Sequence, residues 1–581
     1  MEVGQHFFND FLAREFHLNI PIYQRKYSWE NKHCRKLLDD IIKIGKNEIE
    51  KNNIKNYHFV GSIFFQITMK KIAELTIIDG QQRITSISLL ILALAKFHKK
   101  TDNKYEIEDE SWDILINRYI INPLLKENKN KLILTEEDNH TYNKIINHII
   151  SDTPLEFDEN DSKIIKNNFK FFLREINENN IHFILKGIKK LKIITLDLND
   201  SNTPQEIFES MNSTGKDLKT SDLIRNYLLM DLSSEEQEYI YNNYWKRIES
   251  TFEKNNLSFD DFIHSYLIIQ DKTPNKINKN DVYEVFKDFT KYEFQEIEEI
   301  VKDIEKYVNH FSKIVLGKEK NEDLNFALNN LNKISKNTIH PFLFKLYDDY
   351  MNQKISAEEF VKIVEYTESY IFRRYALGLH TYVFTDIFKN MYGKLDYNNY
   401  SESYKEQLLN LVKEGYNKRF PTDEEFIDEL SKTDITKWNN IKYLFDRFEK
   451  TIDKNPADIY DKNYQIEHIM PQTLTDDWKR DLGDDWERIH KDYLNTIGNI
   501  TMYEYNQEAK NFTFPIKKSK EKIGYDYSSV KLNRKYFDTI DKWDEDEINN
   551  RRKFLCDMAL EIWRYPSVQM NLDKYESLNR L

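Results

Sequence analysis

Asp79-Gly-Gln-Gln-Arg-Ile-Thr85 marks a change of hydrophobic period. Ahead of it, Lys71 to Ile78 is rich in β-branched and apolar residues, which predicts a strand. Behind it, Ile84, Ile87, Ile91 and Leu94 recur at helical spacing. A strand therefore feeds directly into a helix at Asp79-Gly80. Asp79 is placed to cap that helix, and Gln82, three residues on, completes a capping box. The open N–H groups of the first turn, reinforced by Arg83, would stabilise an anion such as a nucleotide phosphate.

Outward from this junction, Tyr57 to Ile67 and Leu191 to Leu198 also read as strands, so residues 1–235 are expected to form an α/β domain. Amphipathic helix then dominates to about residue 455, with Glu236 to Phe252, Asp281 to Phe289, Ala357 to Tyr375 and Ile441 to Ile452 as its clearest segments. Mixed content returns with short strands at Tyr464 to His468 and near Ile497 to Met502, and a terminal helix runs from about Glu545 to Trp563. The expected fold class is multidomain α+β, predominantly helical. Its three parts are 1–235, a helical linker or scaffold over 236–429, and 430–581.

Bulk properties narrow the function. A chain of 581 residues exceeds what one hydrophobic core supports. With 40% hydrophobic residues and only 13 Gly and 11 Pro, it is packed and poor in long linkers. Two cysteines, Cys34 and Cys556, exclude a disulfide framework and a cysteine-based zinc site, and point to a reducing cytoplasm. The longest apolar run, near Leu89 to Ala95, falls well short of the roughly 18 residues of a membrane span, and no secretory leader pattern is visible. A net charge of -13 argues against sequence-independent coating of DNA, so any nucleic-acid contact is local. The basic stretch Lys517 to Lys522 reads as a solvated face.

Two further polar motifs accompany the strand-to-helix junction. In Ile20-Pro-Ile-Tyr-Gln-Arg-Lys-Tyr-Ser-Trp29, Pro21 forces its predecessor toward an extended conformation and presents Tyr23, Gln24, Arg25, Tyr27 and Trp29 on an irregular segment. In Phe208 to Asp222, Asn212 and Gly215 make a tight loop between helices. Alone, each reads as a brace, a cap or a turn. Together and in this order they resemble the DGQQR domain of GmrSD-type, type IV restriction systems, over roughly residues 5 to 235. That resemblance implies a ParB-like fold that binds or hydrolyses an NTP, GTP or ATP, and senses modified DNA. It implies a nucleotide site of Tyr23, Gln24, Arg25, Asp79, Gly80, Gln81, Gln82, Arg83, Thr85, Asn212 and Gly215. No Walker A loop is present.

The C-terminal part carries Gln465-Ile-Glu-His-Ile-Met-Pro-Gln472, then Thr496-Ile-Gly-Asn-Ile-Thr-Met502, Tyr505-Asn506 and Asn511-Phe512. Beyond His380 only His468 and His490 remain, and His468 lies at a strand end beside Glu467. A carboxylate can bind Mg2+ there while the imidazole activates water. An isolated Glu-His pair would read as structural, but the extended pattern resembles the HNH (ββα-metal) nuclease domain of the same family, over roughly residues 430 to 565. The resemblance implies His468 as general base, Asn499 as the residue orienting its loop, and Glu467 with Asn506 as ligands of Mg2+ or Mn2+, Asn511 competing for that last role. His490 reads as structural or substrate-side, and Arg373 and Arg374 as partners of helical acids. The implied function is anti-phage restriction: NTP-regulated sensing of modified or foreign double-stranded DNA, and metal-dependent cutting or nicking, with a homodimer as one way to cut both strands. The alternatives are a non-cleaving NTPase switch and a DNA-binding scaffold.

Overall fold

The computed structural model describes residues 2–49, 57–69, 72–104, 110–123, 125, 129–198, 205, 219–270, 277–294, 296–335, 337–509 and 511–566. The chain is multidomain and mostly helical. It divides into two compact units, residues 1–250 with 286–301 and residues 251–285 with 302–581, so the helix-rich middle is shared between them.

The first unit is built on a six-stranded mixed sheet. Its strands are β1 (Glu2–Phe7), β2 (Phe16–Asn19), β3 (His58–Met69), β4 (Ala73–Asp79), β5 (Leu132–Ile133) and β6 (Leu191–Asp197), in the order β1-β6-β3-β4-β2-β5. The three strands expected from periodicity are β3, β4 and β6. The other three escape a sequence reading because β2 and β5 are too short to show alternation and β1 mixes Gln5 and His6 with its apolar residues. β3 runs antiparallel to β4 and parallel to β6, with a bulge at Phe64/Phe65 where β3 faces Asp79. Helix Gln81–Lys100 follows and is buried on most of its circumference, from Ile84 to Ala95.

The cap of that helix differs from expectation. Gly80 is the N-cap, in the left-handed region at φ +102°, and no side chain caps the helix. Asp79 is instead the last residue of β4, its carboxylate 3.8 Å from the Arg83 guanidinium. An added Cβ on Gly80 would lie 3.0 Å from Ile63 Cγ1, so the sharp strand-to-helix turn depends on glycine both for φ and for space.

Among its described residues the second unit is helical apart from one strand pair, β7 (Gln465–His468) and β8 (Ile500–Tyr503), antiparallel with Glu467 opposite Thr501 and His468 opposite Ile500. Helices Ala357–Ala376, Ile441–Ile452 and Glu545–Ile562 fall where their periodicity places them. Trp478, Phe514, Tyr525, Phe537 and Trp543 make an aromatic core beside the strand pair. Arg373 and Arg374 are fully buried. Arg373 pairs with Asp423 at 2.6 Å and also donates to Trp563 O and Pro421 O. Arg374 departs from the expected acid pairing and donates to the carbonyls of Arg419 and His380. Both guanidinium groups are fully buried and turned to partners within the fold, out of reach of a phosphate in solvent. Among the described residues no helix is long and apolar enough to cross a membrane.

Candidate active site

In the first unit the irregular segment 20–29 lies against the start of helix Gln81–Lys100, held there by amides. Gln82 Oε1 accepts from the Ser28 N–H at 2.8 Å and the Trp29 N–H at 3.2 Å. Gln24 donates to Ile78 O at 2.8 Å, and Gln81 donates to Gln24 at 3.3 Å. Tyr27 is held by Ser86, Asn168 and, through its N–H, Asp138. Tyr23, Gln24, Gly80, Gln81, Gln82 and Thr85 are all buried. Their side chains are turned into the fold and, for the three glutamines, spent on one another and on the main chain.

What stays accessible at this junction is charge. Arg83 and Asp79 keep 31% and 37% of their side-chain surface, and Arg83 donates to Ser62 O at 3.0 Å. Arg25 is half-buried, and burial lowers its pKa against the pull of Asp222 and Asp79. Arg225, which sequence reading missed, donates to Tyr23 O at 2.9 Å and pairs with Asp222 and Glu249. The junction thus offers an anion two half-open arginines held among carboxylates. Asn212 and Gly215 lie outside the described residues.

In the second unit the site is the end of β7. Glu467 and His468 are consecutive at that strand end, Glu467 buried and His468 half-buried. Glu467 is 3% exposed and binds Lys517 Nζ at 2.6 Å, with the Tyr525 hydroxyl at 3.3 Å. Burial pushes its carboxyl above the ordinary carboxylate range, with Lys517 as the main opposing influence. Lys517 also donates to His468 O at 2.8 Å. The expectation of a solvated basic face is therefore wrong at Lys517, whose side chain is fully buried; Phe514 on the same short helix is drawn into the aromatic core and carries Lys517 inward.

His468 is half-buried, its Nε2 2.9 Å from Asn495 Oδ1 and its Nδ1 3.4 Å from Gln472 Nε2. Asn495 in turn donates to Asp434 Oδ2 at 3.2 Å. Burial lowers the His468 pKa and so favours the neutral ring, opposed by the Asn495 hydrogen bond. Asn499 is fully buried: it accepts from Met470 N at 2.7 Å and Trp543 Nε1 at 3.2 Å, and donates to Met470 O and Leu494 O. These bonds fix the loop that leaves His468. Gly498 admits the helix behind it, since a Cβ there would lie 2.5 Å from Ile548 O. Arg551, fully buried and with its pKa lowered to about 10 by burial, donates to the carbonyls of Ile497, Gly498 and Ile500. His490 Nε2 donates to Pro471 O at 3.1 Å, a bracing contact. Asn506 donates to Ile466 O at 2.7 Å and so lies against β7, whereas Asn511 is exposed.

The fit of a divalent ion can be judged from what already sits on Glu467. The Lys517 ammonium is a cation held by a carboxylate and a carbonyl, and Asn506 adds an amide beside the same strand. Hard oxygen donors suit Mg2+ or Mn2+, although an ion on Glu467 requires the ammonium to move aside. Among the described residues no group of three His, Cys, Asp or Glu side chains is clustered as a metal site. Substrate and solvent oxygens would have to complete the shell.

Two family models match the chain, each over a stretch that includes one of the constellations. The GmrSD restriction endonuclease N-terminal domain matches residues 6–229, and the GmrSD restriction endonuclease C-terminal domain matches residues 420–558. No curated protein matches the chain.

Proposed function

Because the chain belongs to the GmrSD restriction endonuclease family, and so is a restriction endonuclease of phage defence that acts on DNA, we propose that the end of β7 is its cutting site, an HNH-type centre with His468 as general base. The observation that carries this reading is the placement of His468: an imidazole at a strand end, with the loop that follows it locked by Asn499. Such a ring can take a proton from water as that water attacks the phosphodiester. Glu467 and Asn506 would hold Mg2+ or Mn2+, which stabilises the leaving oxygen when bound. The aromatic core packs beside the strand pair, and Arg551 Nη1 holds the turn into β8 through the Ile497, Gly498 and Ile500 carbonyls.

The first unit, read as a ParB-like sensor, handles a nucleotide, GTP or ATP, with Arg25 and Arg83 meeting phosphate in place of Asp79 and Asp222. Nucleotide state and base modification together license cutting of double-stranded phage DNA in the cytoplasm, where the two buried, unpaired cysteines stay reduced. Cutting both strands uses a homodimer.

The test is cleavage of base-modified phage DNA and unmodified plasmid with Mg2+ or Mn2+, with and without GTP or ATP, beside His468→Ala. Metal-dependent cutting that vanishes in His468→Ala supports the reading. A His468→Ala protein that cuts at the wild-type rate removes it. Nucleotide turnover with no cutting of either DNA would favour the switch instead.

A further inference from the structure

We propose that Asn495, held by Asp434, is a positioning residue that fixes His468 as its Nε2–H tautomer and leaves Nδ1 as the nitrogen that accepts the proton. This rests on the reading of His468 as base. The Asp434 carboxylate can only accept, so the end of the Asn495 amide that faces it at 3.2 Å is the NH2 group. The other end, facing His468 Nε2 at 2.9 Å, is therefore the carbonyl oxygen, which can only accept. Nε2 must carry the hydrogen. In a neutral ring Nδ1 then holds the lone pair, which the Gln472 amide engages only at a long 3.4 Å.

The two ends of this relay are tied together independently. The Ile435 N–H donates to Asn495 O at 3.1 Å, which joins the two main chains, and Asp434 Oδ1 is held by the Thr436 N–H and hydroxyl. Asn499 and Asn495 divide the work: Asn499 holds the loop after His468, and Asn495 holds the ring.

Asn495→Leu keeps the approximate volume and removes the acceptor. Asn495→Asp keeps an oxygen facing Nε2. Asp434→Ala frees the amide and serves if the leucine variant folds poorly. With 15N-histidine labelling, and His468 assigned by its absence from His468→Ala, ring nitrogen shifts should report the Nε2–H tautomer in the wild type and in Asn495→Asp. A mixture should appear in Asn495→Leu. Cleavage kcat should fall about 10–100-fold in Asn495→Leu with KM within about twofold, and recover in part in Asn495→Asp. An unchanged tautomer with unchanged kcat in Asn495→Leu, beside an inactive His468→Ala, overturns this inference and leaves the nuclease reading standing. Wild-type cutting by His468→Ala overturns both.

Discussion

Replacing Lys517 by Met removes the ammonium from a carboxylate that has little else to turn to. Glu467 is 3% exposed, and its remaining side-chain partner is the Tyr525 hydroxyl at 3.3 Å. Taking one member out of a buried ion pair costs about 3–5 kcal/mol, because the other charge is left desolvated. The carboxyl can escape part of that cost by protonating. Burial already raises its pKa, and without Lys517, its main opposing influence, the pKa rises further. An acid with a raised folded pKa destabilises the fold above its unfolded pKa of about 4.3, and the penalty fades as pH falls from the folded pKa toward that value. Lys517→Met should therefore lose about 3 kcal/mol or more at pH 8 and distinctly less at pH 5. Glu467→Gln combined with Lys517→Met removes both charges and should recover to within about 1.5 kcal/mol of wild type. Urea unfolding of the full chain at the two pH values, followed by tryptophan fluorescence, reads this out, since Trp478 and Trp543 belong to the adjoining core. A single variant within about 0.5 kcal/mol of wild type at pH 8, or a double variant as unstable as the single, would refute the reasoning.

Asn499→Ala strips partners from Met470 N, Met470 O, Leu494 O and Trp543 Nε1, and should cost about 2–4 kcal/mol and abolish cutting; unfolding and cleavage assays check both. Gln82→Ala leaves the Ser28 and Trp29 amides without their acceptor, and hydrogen exchange at those two positions should accelerate while helix Gln81–Lys100 stays protected. Gly80→Ala combines a φ of +102° with the approach of Ile63 and should destabilise the first unit by about 1–2 kcal/mol, measured by thermal melting. Burial lowers the His340 pKa to about 4. A histidine depressed in the folded state stabilises fully above pH 6.5 and loses that contribution as pH falls toward 4, about 3 kcal/mol in all. His340→Phe should flatten the stability profile across that window.

The sequence by itself determined what depends on local pattern. The switch from period 2 to period 3.6 across Asp79-Gly80 places a strand before a helix, and the structure has β4 end at Asp79 and the helix begin at Gln81. The amphipathic stretches 357–376 and 441–452 announce themselves because one helical face repeats within a few residues. The two constellations were visible as runs of polar residues that neither period explains. Tertiary structure decided everything that depends on a distant segment returning. β2 and β5 are strands because parallel neighbours complete their hydrogen bonds, and nothing in four or two residues declares that. The glutamines of the 79–85 junction look like ligand-binding groups in the sequence, yet the 20–29 segment consumes them. Lys517 lies 50 residues beyond Glu467, and Asn495 lies 27 beyond His468. A side chain's period reports which face it occupies, while its partner, and therefore its charge, tautomer and chemistry, is set by what the rest of the chain brings to that face.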